Sequence, residues 1–213
     1  YPNSFADGGK GNDKIKICED TDGDGVADKF TVFADSLNIG TSLTFMNDGV
    51  LVAMAPDFLF LKDTDGDDKA DVREVFMTGW SKHDTHAGPS NLQYGFDNKI
   101  WGVTGYAGFN GEIKGVPYKF GQGVYRFNTD GSGFEYLATT SNNTWGLGIS
   151  EDNNVFISTA NNTHSAFYSL PERFLQRRVF ESKPGSLVNA VQKIDGHYDV
   201  HALTPNLRQV DVV

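Results

Sequence analysis

One hairpin recurs three times along this chain, and that repetition limits the possible folds more than any other feature. Leu43-Thr44-Phe45-Met46-Asn47-Asp48-Gly49-Val50-Leu51-Val52 reads as a strand, an Asn/Asp turn and a second, apolar strand. Leu92-Gln93-Tyr94-Gly95-Phe96-Asp97-Asn98-Lys99-Ile100-Trp101 repeats it, and so does the run from Leu147 to Phe156, with its Asp152-Asn153-Asn154 turn. Asn, Asp and Gly supply the positive φ that tight hairpin turns demand. The step between copies is roughly 50 residues, the spacing of a propeller blade of four short strands. A β-sandwich would supply similar hairpins but gives no reason for one hairpin to return at a near-constant step. The expected fold is therefore all-β, a β-propeller of which this chain covers three to four blades. The blades divide as later strands over 13–35, full blades near 36–80 and 86–140, and most of another from 141. Residues 1–213 read as a single propeller domain, incomplete at both ends, with the remainder of the propeller as its partner. Pro171 to Val179 is the one helix-like stretch, and it is too short to change the class.

Two acidic loops punctuate the strands. Asp20-Thr21-Asp22-Gly23-Asp24-Gly25-Val26-Ala27-Asp28 places carboxylates at positions 1, 3, 5 and 9, with Gly at 6. Asp63-Thr64-Asp65-Gly66-Asp67-Asp68-Lys69-Ala70-Asp71 repeats the pattern, and Glu74 falls at position 12. Alternate oxygens at this spacing converge on Ca²⁺, as in an EF-hand loop. The flanks are not helical, however. Lys14 to Ile17 and Phe30 to Phe33 alternate with period two, so each loop caps a β-hairpin. The candidate calcium ligands are Asp20, Asp22, Asp24 and Asp28 in one loop, and Asp63, Asp65, Asp67, Asp71 and Glu74 in the other; the alternative is a solvated Asp/Gly turn.

Charge narrows the partners. Asp and Glu number 28 against 18 Lys and Arg, for a net charge of −10. That field repels phosphate backbones and anionic membranes, which argues against nucleic acid. No run approaches the ~18–20 apolar residues of a membrane span. The lone cysteine, Cys18, rules out an intrachain disulfide, and its place in an alternating stretch predicts a buried thiol. The chain opens on Tyr1-Pro2-Asn3 rather than on a signal peptide, so for an exported protein the targeting segment lies upstream.

A polar motif, His83-Asp84-Thr85-His86-Ala87-Gly88-Pro89, immediately precedes the first strand of a blade, where propeller ligands bind. His86 can serve as a general base with Asp84 orienting it, since imidazole titrates near neutrality. His83 and His86 can instead ligate a metal, although no third ligand follows from spacing.

The stretch Asp84 to Gly88, followed by Gly95 to Trp101 and Thr104-Gly105-Tyr106-Ala107-Gly108, resembles a blade of the soluble quinoprotein glucose/sorbosone dehydrogenases. A closer resemblance, over essentially the whole chain, is to the membrane-bound-dehydrogenase propellers of planctomycetes and verrucomicrobia. It rests on both acidic loops, the Asp84–His86 motif and the run Leu203-Thr204-Pro205-Asn206-Leu207-Arg208-Gln209-Val210-Asp211. The resemblance implies a six-bladed propeller, structural calcium, pyrroloquinoline quinone as cofactor and His86 as catalytic base. It further implies a sugar or alcohol substrate, a c-type cytochrome as electron acceptor and a periplasmic or extracellular location. Tyr106, Asn142, Asn143 and His164 fall where the family's cofactor site is built. Two departures stand out: Tyr106 replaces an acidic residue, and Asn142-Asn143-Thr144-Trp145 lacks the arginine that faces the quinone. Two rival readings remain, a non-enzymatic calcium-stabilised propeller binding glycans or proteins, and a metal-dependent lactonase-like hydrolase.

Overall fold

A computed structural model describes residues 4–140, 143–160, 165–168 and 191–193. Three four-stranded antiparallel sheets follow one another along the chain. The first runs in meander order through β3 (Ser42–Met46), β4 (Gly49–Met54), β5 (Asp57–Lys62) and β6 (Val72–Thr78). The second joins β7 (Pro89–Tyr94), β8 (Lys99–Thr104), β11 (Gly123–Asn128) and β12 (Glu135–Thr139). The third joins β13 (Thr144–Ile149), β14 (Val155–Thr159), β15 (Ala166–Tyr168) and β16 (Val191–Lys193). Ahead of them stands the hairpin of β1 (Asp13–Glu19) and β2 (Lys29–Leu37). Successive up-and-down four-stranded meanders are the blades of a β-propeller. The helix-like run Pro171 to Val179 and the run Leu203 to Asp211 lie outside the described residues.

The recurring hairpin is the opening pair of each blade. Asn47 and Asp48 both take positive φ, at 49° and 56°, so Met46 pairs with Gly49 across a two-residue turn whose twist suits the strands. The second strand of the first blade, β4, is buried along its whole length, as a strand covered on both faces must be. Neighbouring blades are stitched through their first strands. Ser42 Oγ accepts from the Leu92 amide at 2.8 Å, and Gln93 Nε2 donates to the Leu147 carbonyl at 2.6 Å. Leu51, Phe58, Ile100, Tyr125 and Phe127 then share one core between the first two blades, and Trp101, Val103, Leu147, Ile157 and Tyr168 another between the second and third.

Two features depart from expectation. The second blade carries an inserted hairpin between β8 and β11, made of β9 (Phe109–Ile113) and β10 (Val116–Phe120). Its Phe109 and Phe120 rings clasp Trp80, with centroids at 5.0 and 6.0 Å. Cys18 is exposed rather than buried. The alternation of β1 turns Ile15 and Ile17 inward, which leaves Cys18 on the outward face with Lys14 and Lys16.

Candidate functional site

The two acidic turns share one wiring. In the β1–β2 turn, Asp20 accepts the Gly23 and Gly25 amides at 2.7 and 2.8 Å. In the β5–β6 turn, Asp63 accepts the Gly66 and Asp68 amides at 2.7 and 2.9 Å. The position-9 carboxylates close each loop back on its threonine: Asp28 binds the Thr21 hydroxyl at 2.7 Å and Asp71 the Thr64 hydroxyl at 2.6 Å. Gly23 and Gly66 sit at φ 80° and 82°. Asp68, where Gly stands in the first loop, takes the left-handed conformation at 65°. Aspartate tolerates this better than most residues.

These bonds let like charges crowd. Carboxylate oxygens of Asp20, Asp22 and Asp24 lie within 4.8 Å of one another, as do those of Asp63, Asp65 and Asp71. Backbone N–H groups of Gly25 and Gly23 hold the Asp20 carboxyl below its usual range, and that of Gly66 does the same for Asp63. The Thr21 hydroxyl lowers Asp28. Hard, ionised, flexible oxygens gathered at this spacing are a donor set that fits Ca²⁺. Three predicted ligands, Asp28, Asp67 and Glu74, stand apart from these clusters. Asp28 is bound to Thr21. Asp67 is paired with the Lys69 ammonium at 2.9 Å. Glu74 is in β6 opposite Phe60, in a groove with Lys62, Lys114 and Asp130.

His86 lies on the segment entering β7, beside the segment leaving β8, because Pro89 pairs with Thr104. The two segments are laced together by Ala107 N–H to Ala87 O at 3.1 Å and Gly105 N–H to Gly88 O at 3.3 Å. Asp84 is the hub. One of its oxygens accepts the His86 amide at 2.7 Å, and the other accepts the Tyr106 hydroxyl in a short hydrogen bond. The Tyr106 phenol, then the His86 amide, push the Asp84 carboxyl below the usual range, and Asp84 in turn raises the Tyr106 phenol.

The imidazole itself meets the Thr85 hydroxyl at 3.2 Å through Nδ1, while its distance to Asp84 Oδ1 is 3.6 Å. Asp84 therefore orients His86 through the backbone and by charge, not by a direct bond to the ring. Asn143 enters from the segment before β13. It is buried, and its side-chain oxygen packs against Gly105, where even a Cβ would collide with it and with the Ala87 carbonyl. Tyr106, His86 and Asn143 are thus brought to one end of the blades, whereas Asn142 and His164 lie outside the described residues. The Tyr106–Asp84 bond was missed from sequence. Continuing the β7–β8 pairing beyond Pro89 and Thr104 sets 85–88 opposite 105–108.

Pyrroloquinoline quinone is anionic and calls for cations. The side chains gathered here are Asp84, Thr85, His86, Tyr106, Asn143 and His83, whose ring lies 6.0 Å from that of Tyr106. The nearby Lys82 ammonium sits 4.7 Å from the centre of the Phe5 ring. Among the described residues, the donor set does not fit an anionic quinone.

Blades of this kind with acidic turns define a β-propeller domain. The chain belongs to the family DUF7133, a domain of unknown function, which it matches over residues 1–212. No curated protein matches it. A solved structure described as a provisionally assigned gluconolactonase is similar at 14% identity and a TM-score of 0.46, over 67% of this chain and 49% of that one. This chain thus spans about half the length of that structure.

Proposed function

We propose that this domain carries a proton-abstracting site for a sugar or related alcohol, with His86 as general base, on a propeller whose two acidic turns hold structural calcium. The observation that carries the reading is the Asp84 hub, which fixes the His86 backbone and the Tyr106 side chain at the end of the blades where first strands begin. Asp84 is held ionised by its hydrogen bonds and keeps its carboxylate 3.6 Å from the imidazole, which would take the proton of a bound hydroxyl. The half-exposed imidazole leaves room for a substrate to approach. Resemblance to the glucose/sorbosone dehydrogenases supports oxidation as the outcome: His86 would take the hydroxyl proton, and the hydride of the carbinol carbon would pass to a two-electron acceptor, an added quinone in the assay, with a c-type cytochrome as the one-electron acceptor downstream. No step is assigned to a resident quinone. A periplasmic or extracellular setting suits the exposed acidic turns, since extracellular calcium modules work at ~10⁻⁴–10⁻³ M.

The test is a pair of assays on the full-length protein with calcium present. Dye reduction driven by aldoses and polyols, with and without added quinone, supports the oxidoreductase. Hydrolysis of sugar lactones in its place would move the same base to hydrolytic chemistry. Neither activity, with calcium bound, would leave a binding propeller.

A further inference from the structure

We propose that the face of the first blade carrying Leu43 and Phe45 seats two further β-strands. These strands complete the blade that β1 and β2 begin, and they come from a segment of the same polypeptide remote in sequence from β1.

The β1–β2 hairpin is the outer half of a blade. Its turn carries the same acidic loop as the β5–β6 turn, which joins the third strand of the first blade to the fourth. The hairpin also packs on the first blade as a preceding blade would. Ile15 and Phe33 lie against the core that holds Val52, Leu59 and Leu61, and Arg73 of β6 donates to the Asp35 and Ser36 carbonyls at 2.9 and 3.2 Å. Strands β5, β11 and β15, third in their blades, are each bonded on both edges. Among the described residues β1 is bonded to β2 alone. Its other edge is a template for a strand.

The inner half of the same junction is uncovered. Leu43, Leu92 and Leu147 hold one position on the first strands of the three blades, each turned towards the blade before. Leu92 is 4% exposed in the core shared with the first blade, and Leu147 is 8% exposed in that shared with the second. Leu43 stands opposite Val52 and so shares its face, the one that the β1–β2 hairpin covers further out. Yet Leu43 is 42% exposed, and Phe45 on the same face 74%. Inner strands of a preceding blade lie over Leu92 and Leu147; over Leu43 there are none among the described residues.

Two nearer sources of those strands fail. The residues just before β1 lead elsewhere: Ala6 and Asn38 exchange two hydrogen bonds at 2.9 and 3.0 Å, and Phe5 packs into the core between the first and second blades. That is the opposite face of the first blade from Leu43. A second copy has no inner pair to spare, because each described four-stranded sheet uses all of its own strands. The two complete junctions give the chemistry of the incoming strand. Thr41 Oγ1 donates to the Pro89 carbonyl at 2.6 Å, and Asn91 Nδ2 to the Trp145 carbonyl at 2.5 Å, beside the bonds of Ser42 and Gln93. The incoming first strand accordingly presents Ser, Thr, Asn or Gln to the backbone around Leu43, and apolar side chains to Leu43 and Phe45.

The test replaces Phe45 with the photo-cross-linker p-benzoylphenylalanine in the full-length protein and maps the joined peptides by mass spectrometry. Cross-links are expected within one molecule, to a peptide outside residues 1–168. A cross-link to residues 1–12, cross-links between two copies only, or none in the folded protein overturns the proposal. The unmodified protein gives a second reading. Under hydroxyl-radical oxidation Phe45 should react several-fold more slowly than Phe96, whose exposure of 67% is close to its own, and every β1 amide should resist hydrogen exchange. Phe45 reacting as fast as Phe96, with alternate β1 amides exchanging freely, overturns the proposal as well.

Discussion

The acidic turns and the His86 segment are both organised by aspartates that accept backbone N–H groups, yet they are built for different ends. In the turns every such partner lies within the same nine residues, as with Asp20 on Gly23 and Gly25 or Asp71 on Thr64. The loop is therefore complete locally, and its remaining oxygens point together. Asp84 instead divides its two oxygens between its own segment and a phenol 22 residues away. That fastens two connections together and leaves no carboxylate oxygen of the hub without a protein partner. Local closure suits a cation; closure across segments suits a positioned side chain.

The largest expected effect on the turns comes from removing the ion. Chelation of both ions should lower the melting temperature by about 10–20 °C relative to calcium at a hundredfold above Kd. Hydrogen exchange should quicken at β1–β2 and β5–β6 while β7 and β8 keep their protection. Equal loosening of all blades would erase the distinction. Next in size, Gly105→Ala should cost about 1–3 kcal/mol, since the added methyl collides with Asn143 and Ala87. Its damage should appear in activity and thermal unfolding but not in calcium affinity.

Tyr106→Phe should be milder, a few-fold loss of turnover with calcium binding intact, because the Asp84–His86 amide bond survives it. No change in turnover would mean that the phenol does not act through Asp84. The smallest effect is on acid stability without calcium. Asp20, Asp28 and Asp63 have lowered carboxyls when folded, so their contribution is present above the ordinary carboxylate value of ~3.9 and fades as pH falls through the lowered values. Unfolding monitored from pH 6 to 2 in chelator should show that loss at the acidic end, and in the Asp20→Asn protein it should shrink.

The sequence made the local devices legible. The Asn47-Asp48-Gly49 turn, its two repeats and the 1-3-5-9 aspartates announce themselves by spacing, because hairpin turns and cation loops are determined within ten residues. The β9–β10 hairpin escaped because Pro117 argues against a strand and its turn, Lys114-Gly115, is not a common hairpin pair. Cys18 was misplaced because an alternating strand has two faces and the apolar run did not say which one faced the core. The Tyr106–Asp84 bond joins residues brought close only by β7–β8 register.

The most direct test of the account is turnover of His86→Gln against wild type, measured in the full-length protein with calcium occupancy followed in the same samples. Turnover should fall by ~10²–10⁴-fold, the size of a lost general base, with circular dichroism and calcium equivalents unchanged. A His86→Gln protein that keeps full turnover would contradict it.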